Sequence, residues 1–433
     1  MLQLVFGRSG YGKTEYIRNR IADKIDRGET QVLLITPEQY SFISEYSLLE
    51  QLGEARAHAV RCLSFSRLCD ECDRLYGADG RKPLTKGGKA ILMKTAIDQV
   101  RPDLELFEKK GSSAAFVQSM TGIYDEMKSC NLSGAAVYAA ADDLDTDILR
   151  CKMRDFSRIM TAYEALLGDR FADPANRLTR LYDQIKDQNY FAGQTVFLDG
   201  FNGFVAQEYK ILERIIAEAK AVYIALDSDS FGTGDGYDLF AYVNETAGIL
   251  QRIADKAGVP TNTLQLGENC RTDYADLRRV EQYIFADQAP ETEIPAEHIR
   301  LYAASTVTDA CNDLALQIKG LLRCGYRAGE IAVTMRDREK YAPVLASAFE
   351  KYGVPYYADE RQPVTAQPIL VFPMYLMRSV IYGWRSDDLF SLIKTGLTDV
   401  SDSPDLHRTE NYVYTWGING AAWKRPFDKS PKG

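Results

Sequence analysis

Residues 7–14 have the types and the spacing of a phosphate-binding loop. They are Gly7, Arg8, Ser9, Gly10, Tyr11, Gly12, Lys13 and Thr14, a full match to the pattern GxxxxGK(S/T). In such a loop the backbone N–H groups point at the β-phosphate, the lysine reaches the β- and γ-phosphates, and the threonine hydroxyl binds Mg²⁺. The whole segment is therefore predicted to bind ATP, and Thr14 also to bind magnesium. The alternative, a glycine-rich turn without nucleotide, is disfavoured because the loop lies between a strand-like and a helix-like stretch.

An aspartate that follows a buried strand is the expected second half of such a site. Asp199 follows the apolar run Val196–Leu198 and is predicted to hold the magnesium through water. Its alternative role is that of a turn residue at the end of a strand. Most P-loop ATPases place a glutamate directly after this aspartate to activate the attacking water, but the next residue here is Gly200. We therefore expect weak or no ATP hydrolysis and assign no catalytic residue.

Arg271 is a candidate for contact with the γ-phosphate. It precedes a helix-like stretch at residues 274–285. An arginine at the edge of a nucleotide cleft stabilises charge on the γ-phosphate, and Arg271 is predicted to belong to the ATP site on that basis. Spacing alone favours the alternative, a solvated arginine at the start of a helix.

Strand-like apolar runs alternate with amphipathic helical stretches around these residues, as in a βαβ unit. Residues 85–190 are predicted to be helical throughout. The simplest topology is a parallel sheet interrupted by a helical insertion, which places the chain in the α/β class. The strands are predicted at residues 2–6, 32–36, 195–199 and 221–227, and the helices between them at 13–25 and 207–219.

A second α/β region is predicted after a polar, proline-marked joint at residues 289–295. Strand signals return at Ile299–Ala303 and Ile331–Met335, and each is followed by a helical stretch. From Pro368 onward the pattern is helical again, and no closing element follows it. We therefore expect the chain to stop inside a domain.

The composition is typical of a cytosolic globular protein. Among the 433 residues no apolar run has the roughly 18 residues that a membrane span needs, and the N-terminus lacks the pattern of a signal peptide. The pair Cys69 and Cys72 lies in a helix-like stretch without a second cysteine pair or a nearby histidine, which favours ordinary helix residues over a zinc site. The net charge of −9 argues against a protein that coats nucleic acid by bulk electrostatics, but it allows a local basic channel.

Several longer segments resemble the AddB family, also called RexB, whose members are subunits of the bacterial AddAB helicase–nuclease. The resemblance spans essentially the whole chain. Besides the P-loop, it rests on LLITPEQYSF at 33–42, LSFSRL at 63–68, LTKGGKAILM at 84–93, FLDGF at 197–201, IAVTMRD at 331–337, YGVPYYADE at 352–360 and ENYVYTWGINGAAW at 410–423.

The resemblance implies P-loop, superfamily 1 helicase-like lobes with mainly helical insertions. It makes Arg271 the match for the arginine of helicase motif IV. The nuclease motif and the iron–sulfur cluster of the family are expected only after residue 433. The implied regions are a P-loop ATPase-like lobe at 1–84 and 191–290, its helical insertion at 85–190, an incomplete second α/β lobe at 296–362, and the start of a second helical insertion at 363–433.

The resemblance also implies a function in the processing of DNA double-strand ends for homologous recombination repair. The chain would bind ATP with Mg²⁺, would contact double-stranded DNA ends and single-stranded DNA, and would pair with an AddA-like helicase–nuclease subunit. Gly200 fits a subunit whose motor activity is weakened. Two other classes stay open, namely a P-loop nucleotide or small-molecule kinase and a structural partner that does not hydrolyse ATP. A kinase normally carries an arginine-rich lid. The long helical insertion argues against the kinase class.

Overall fold

A parallel β-sheet lies at the centre of the first part of the chain in the computed structural model, which describes residues 1–109, 113–229, 239–286, 290–291, 293–359, 364–401 and 403–430. The chain divides into two compact units, Met1–Arg300 and Leu301–Gly433. In the described part of the first unit the strands are β1 (Leu2–Gly7), β2 (Val32–Ile35), β3 (Val60–Leu63), β4 (Lys82–Pro83), β5 (Phe171–Ala172), β6 (Thr195–Leu198), β7 (Ala221–Asp227) and β8 (Thr261–Gln265).

Six of these strands form one parallel sheet in the order β3-β2-β6-β7-β1-β8, within the residues that the structure describes. The inner strands are continuous apolar runs because helices cover both faces of the sheet. The predicted strands β1, β2, β6 and β7 are confirmed, as is the parallel sheet interrupted by an insertion. Since β7 lies between β1 and β6, the carboxyl ends of these three strands meet at one edge of the sheet, where ligands bind in open α/β folds.

The helices of the first unit surround the sheet and form the insertion. The predicted helices at 13–25 and 207–219 are confirmed within a residue or two at each end. The described helices are α1 (Lys13–Asp26), α2 (Ser41–Leu52), α3 (Glu54–Ala57), α4 (Phe65–Tyr76), α5 (Lys86–Val100), α6 (Ala114–Ser129), α7 (Gly134–Ala141), α8 (Asp147–Leu167), α9 (Arg177–Ile185), α10 (Ala206–Glu218), α11 (Ala241–Lys256) and α12 (Ala275–Tyr283).

The helical insertion has a core of its own, built by the apolar stripes of α5, α6 and α8. At its centre the buried Asp173 accepts hydrogen bonds from Lys89 Nζ at 2.8 Å and from the Tyr163 hydroxyl at 2.6 Å. Lys89 also forms an ion pair with Asp125. The prediction of helix over 85–190 is confirmed for most of the described residues, which form α5 to α9; loops separate these helices, and β5 is a two-residue strand that pairs with β4.

Glu29 connects the segments at the starts of strands β2, β6 and β7. It accepts a hydrogen bond from the Thr195 hydroxyl at 2.7 Å and forms ion pairs with Lys220 and Lys24. Desolvation opposes ionisation of this carboxyl, but these hydrogen bonds prevail and lower the pKa of Glu29 to about 2. The contacts connect the segment before β2 with the starts of β6 and β7.

The second unit packs two helices, α13 (Val307–Arg323) and α14 (Arg338–Tyr352), against each other around Ile318 and Phe349. The predicted strands at 299–303 and 331–335 are wrong, because neither segment forms a β-ladder with any residue that the structure describes. In 331–335 the odd-numbered residues pack against the helices while the even-numbered ones are exposed. The alternation that predicted a strand therefore reflects one covered face, and no described residue supplies the hydrogen-bonded neighbour that a strand also needs.

The last described helices are α15 (Pro368–Ile381), α16 (Ser386–Ile393) and α17 (Leu406–Thr415), which confirms the helical prediction after Pro368. Most of the large apolar side chains of α15 face solvent, and Ile381 is 73% exposed. A helix with this many exposed large apolar side chains is typical of one that packs against further protein. Among the described residues no helix is both long and apolar enough to span a membrane.

Candidate nucleotide-binding site

The P-loop connects the end of β1 to the start of α1 and wraps the edge of a pocket of about 420 Å³. Gly10 and Gly12 have φ values of 90° and 79°, a left-handed conformation that favours glycine. The pocket brings together the predicted residues Ser9, Gly10, Gly12, Lys13, Thr14, Asp199 and Arg271. The sequence therefore folds so that strand, loop and helix present the N-terminus of α1 to one cavity.

The Arg8 and Tyr11 side chains turn away from the pocket towards α12. Arg8 forms an ion pair with Asp229 at 2.9 Å and donates to the Glu281 backbone carbonyl at 3.1 Å. The Tyr11 hydroxyl donates to the Glu281 carboxylate at 3.2 Å. Burial, together with that carboxylate, raises the pKa of Tyr11. At positions 8 and 11, therefore, only the backbone is placed to serve a phosphate, and the side chains fix the loop to α12.

Lys13 is held by three acceptors at the carboxyl ends of β1 and β7. Its ammonium donates to the backbone carbonyls of Gly7 at 2.7 Å and Arg8 at 2.9 Å, and forms an ion pair with Asp227. Asp227, the last residue of β7, also lines the pocket. Sequence reasoning missed Asp227, although a signal was present, since it ends the buried run AVYIALD as Asp199 follows TVFL.

Asp199 lies beside Thr14, as the magnesium prediction requires. Burial raises the pKa of Asp199, against hydrogen bonds from the Thr14 side chain and the Gly200 backbone N–H. Among the described residues no group of three or more histidine, cysteine, aspartate or glutamate side chains is placed to bind a metal. A hydroxyl and a carboxylate nevertheless fit Mg²⁺, which keeps several waters and takes its other ligands from phosphate.

Gly200 turns the chain away from the sheet directly after Asp199. Its φ is 83°, and a Cβ atom built there would lie 3.4 Å from Pro37 Cδ and 3.8 Å from Tyr40 Cδ2. A side chain at this position would therefore start towards Pro37 and Tyr40. The backbone itself accounts for the missing glutamate, because the left-handed conformation favours glycine.

Arg271 lies against the P-loop. The loop that carries it is attached to Gly10, whose carbonyl accepts from the Cys270 N–H at 2.8 Å, and Asn269 Oδ1 accepts from the Arg271 N–H at 2.8 Å. The exposed guanidinium lies 3.5 Å from the Ser9 hydroxyl. The structure thus places this cation in the wall of the pocket, beside the P-loop.

A family model described as "ADDB, N-terminal" matches residues 4–281, which is more than half of the chain. The chain belongs to the AddB family.

Similar proteins, each named as the B subunit of an ATP-dependent helicase/deoxyribonuclease, occur in several bacteria. A Clostridioides difficile (strain 630) relative is 29% identical over 98% of this chain and 37% of its own length. A Clostridium botulinum (strain Hall) relative is 27% identical over 98% of this chain and 37% of its own length, and one from Thermoanaerobacter pseudethanolicus is 26% identical over 99% and 38%. The chain thus spans less than two fifths of the length of these relatives.

Three of the segments that resemble AddB meet beside the pocket. Phe65, at the start of α4, packs edge-to-face on Phe201 with the ring centroids 5.8 Å apart. In the segment after β2, Glu38 accepts a hydrogen bond from the Ser66 hydroxyl at 2.8 Å. The AddB-like segments at 33–42, 63–68 and 197–201 are therefore in contact with one another next to Gly200.

Proposed function

We propose that this AddB-family chain binds Mg-ATP at the P-loop, as part of a helicase-like subunit that processes DNA double-strand ends for homologous recombination repair. The observation that carries the proposal is the meeting of Lys13, Thr14 and Asp199 in one pocket at the start of α1. Backbone N–H groups of residues 7–14 would bind the phosphates, Lys13 would contact the β- and γ-phosphates, and Thr14 with Asp199 would hold Mg²⁺. Arg271 would approach the γ-phosphate from the wall of the pocket.

The partners that we propose follow from the names of the relatives. A protein named as one subunit of an enzyme has at least one partner subunit, and we propose an AddA-like helicase–nuclease in that place, with double-stranded ends and single-stranded DNA as the nucleic acids. The residues that the structure describes do not fit an iron–sulfur cluster, because no three cysteines lie together.

We propose a division into superfamily 1 helicase-like lobes, with a P-loop lobe at 1–84 and 191–290, a helical insertion at 85–190, a second α/β lobe at 296–362 and the start of a second helical insertion at 363–433. Pairing of β2 with β6 across the insertion supports the first lobe. The second lobe rests on the family resemblance and on the helix pair α13 and α14, which packs around a core of its own.

The test is calorimetric titration of Mg-ATP into the wild-type chain and into Lys13→Ala. Loss of the charge-assisted contact is expected to weaken binding roughly ten- to a hundredfold. Lys94→Ala is the matched control, because Lys94 is an exposed lysine of the helical insertion, paired with Asp98, and should bind as the wild type does. Equal affinity of Lys13→Ala and the wild type would remove the P-loop from the proposal.

A second candidate function, a partner that binds ATP without hydrolysing it, is favoured by the turn at Gly200. The position that would carry the general base has a backbone conformation suited to glycine. Binding in the calorimeter without phosphate release in a steady-state assay would assign this function. The kinase alternative has no comparable observation in its favour.

A further inference from the structure

The Lys13 ammonium has no spare donor. A lysine carries three N–H donors, and the Gly7 carbonyl, the Arg8 carbonyl and the Asp227 carboxylate occupy all of them. The Lys13 side chain is only 10% exposed, so solvent plays little part in its environment. A triphosphate that binds through Lys13 must therefore displace at least one of these acceptors.

Asp227 is the acceptor whose displacement matters most for affinity. It is the one charged member of the three, and hydrogen bonds between ionised groups are roughly twice as strong as neutral ones. Its position is fixed by the sheet, because β7 pairs with β1 and places Asp227 opposite Gly7. A carboxylate at this place also repels the phosphates that approach the P-loop.

We infer that Asp227 sets the nucleotide affinity of the P-loop by competing with the phosphates for Lys13. It acts through Lys13 as a positioning residue. The nucleoside triphosphate thus displaces the Asp227 carboxylate from Lys13 when it binds. The triphosphate therefore binds more weakly than it would to the same P-loop without Asp227. The inference rests on the proposed function and concerns the same pocket.

The first experiment compares Mg-ATP binding to the wild type, Asp227→Asn, Glu15→Gln and the double variant Lys13→Ala/Asp227→Asn by calorimetry. Asp227 is 43% exposed, so the amide is sterically tolerated. Asp227→Asn is expected to bind roughly tenfold more tightly, the effect of one charge-assisted contact. Glu15→Gln removes an equal charge from the pocket wall without freeing Lys13 and should gain much less. The double variant should gain over Lys13→Ala no more than Glu15→Gln gains over the wild type, because only the general charge repulsion is left to relieve.

The second experiment needs no nucleotide. Lys13 acylation by an N-hydroxysuccinimide ester is followed by mass spectrometry, and it should be several-fold faster in Asp227→Asn than in the wild type, because the ammonium loses its charged partner. Thermal unfolding verifies that each variant is folded. Asp227→Ser takes the place of Asp227→Asn if the amide variant fails to fold.

Unchanged acylation, or binding by Asp227→Asn that equals or falls below that of the wild type, overturns the inference and leaves the proposed function standing. Faster acylation with no Mg-ATP binding by any variant upholds the Lys13–Asp227 contact but removes the proposed function, and the role in affinity with it. Tight binding by Asp227→Asn where the wild type binds too weakly to measure supports both.

Discussion

Gly200→Glu would place a carboxylate directly after Asp199, where many P-loop ATPases carry the base that activates water. Gly200 has a φ of 83°, and a left-handed conformation costs a residue with a Cβ roughly 1–2 kcal/mol. Space is not the obstacle, because the nearest atom to the new Cβ, Pro37 Cδ, lies at an ordinary contact distance of 3.4 Å. We therefore expect a folded protein that is destabilised by about 1–2 kcal/mol through its backbone alone.

The same geometry predicts that the variant does not gain ATPase activity. The Cβ bond at this position points at Pro37 and Tyr40, and the carboxylate would start on their side of the chain. Gly200 itself lines the nucleotide pocket, but Pro37 and Tyr40 are not among the described residues that line it, so the side chain would start away from the pocket. The turnover number should therefore stay below about 1 s⁻¹, the low end of the range for competent enzymes.

The assay pairs denaturant unfolding with steady-state phosphate release at saturating Mg-ATP, with and without single-stranded DNA. Gly200→Ala is the matched control, because it carries the same backbone strain without a carboxylate. Equal destabilisation of the two variants with no turnover in either is the expected result. Turnover in Gly200→Glu above about 1 s⁻¹, with Gly200→Ala inactive, would show that the reasoning from the backbone turn is wrong.

Three further predictions concern DNA binding and stability. Single-stranded DNA should bind the chain weakly, since the net charge is −9. The logarithm of the binding constant should fall steeply with the logarithm of the salt concentration, with a slope of about −0.7 per phosphate contact. Fluorescence anisotropy at several salt concentrations tests this, and tight, salt-insensitive binding would contradict it. The pKa of Glu29 in the folded protein is about 2, below its ordinary value of 4.5. The carboxylate therefore stabilises the fold fully above pH 4.5, and this stabilisation is lost as the pH falls towards 2. The difference in urea midpoint between the wild type and Glu29→Gln should shrink over that interval, and a constant difference would refute the assignment. Lys89→Met leaves the buried Asp173 without its cation and should cost about 3–5 kcal/mol in denaturant unfolding, most of which Asp173→Asn should restore in the double variant; a loss under about 1 kcal/mol would show that the pair is not coupled.

The inner strands could be predicted from the sequence because each is a short run of apolar residues bounded by polar ones. The edge strands β3 and β8 could not. β8 has the sequence TNTLQ and is mostly exposed, since only one neighbour and one face contact it. Such a strand owes its place to the pairing with β1, and this pairing leaves no mark in its own composition.

The error at 331–335 has the opposite cause. Its alternating apolar residues do pack on α13 and α14, so the local signal was correct about the covered face. A strand exists only with a hydrogen-bonded neighbour, however, and no window of residues can report whether one is present.

Some residues of the candidate site could likewise be predicted from the sequence, and one could not. The P-loop, Asp199 and Arg271 carry local patterns, and the structure places them around one pocket. Asp227 ends a buried run as Asp199 follows one, but its contact with Lys13 depends on strand order, which the local sequence does not show. Only the position of β7 between β1 and β6 brings its last residue to Lys13.

The strand that leads into the P-loop is synthesised long before the strands that pair with it. β1 is made first, yet Leu2 pairs with Val222 and Thr261, which leave the ribosome only after the helical insertion. At typical elongation rates of roughly 5–20 residues per second that delay is on the order of ten to fifty seconds, whereas helices with local contacts fold within milliseconds. The insertion therefore folds while β1 is still an unpaired apolar segment, and the nucleotide pocket is among the last parts of the first unit to form. During translation this segment is a natural target for chaperones and a point at which aggregation can begin.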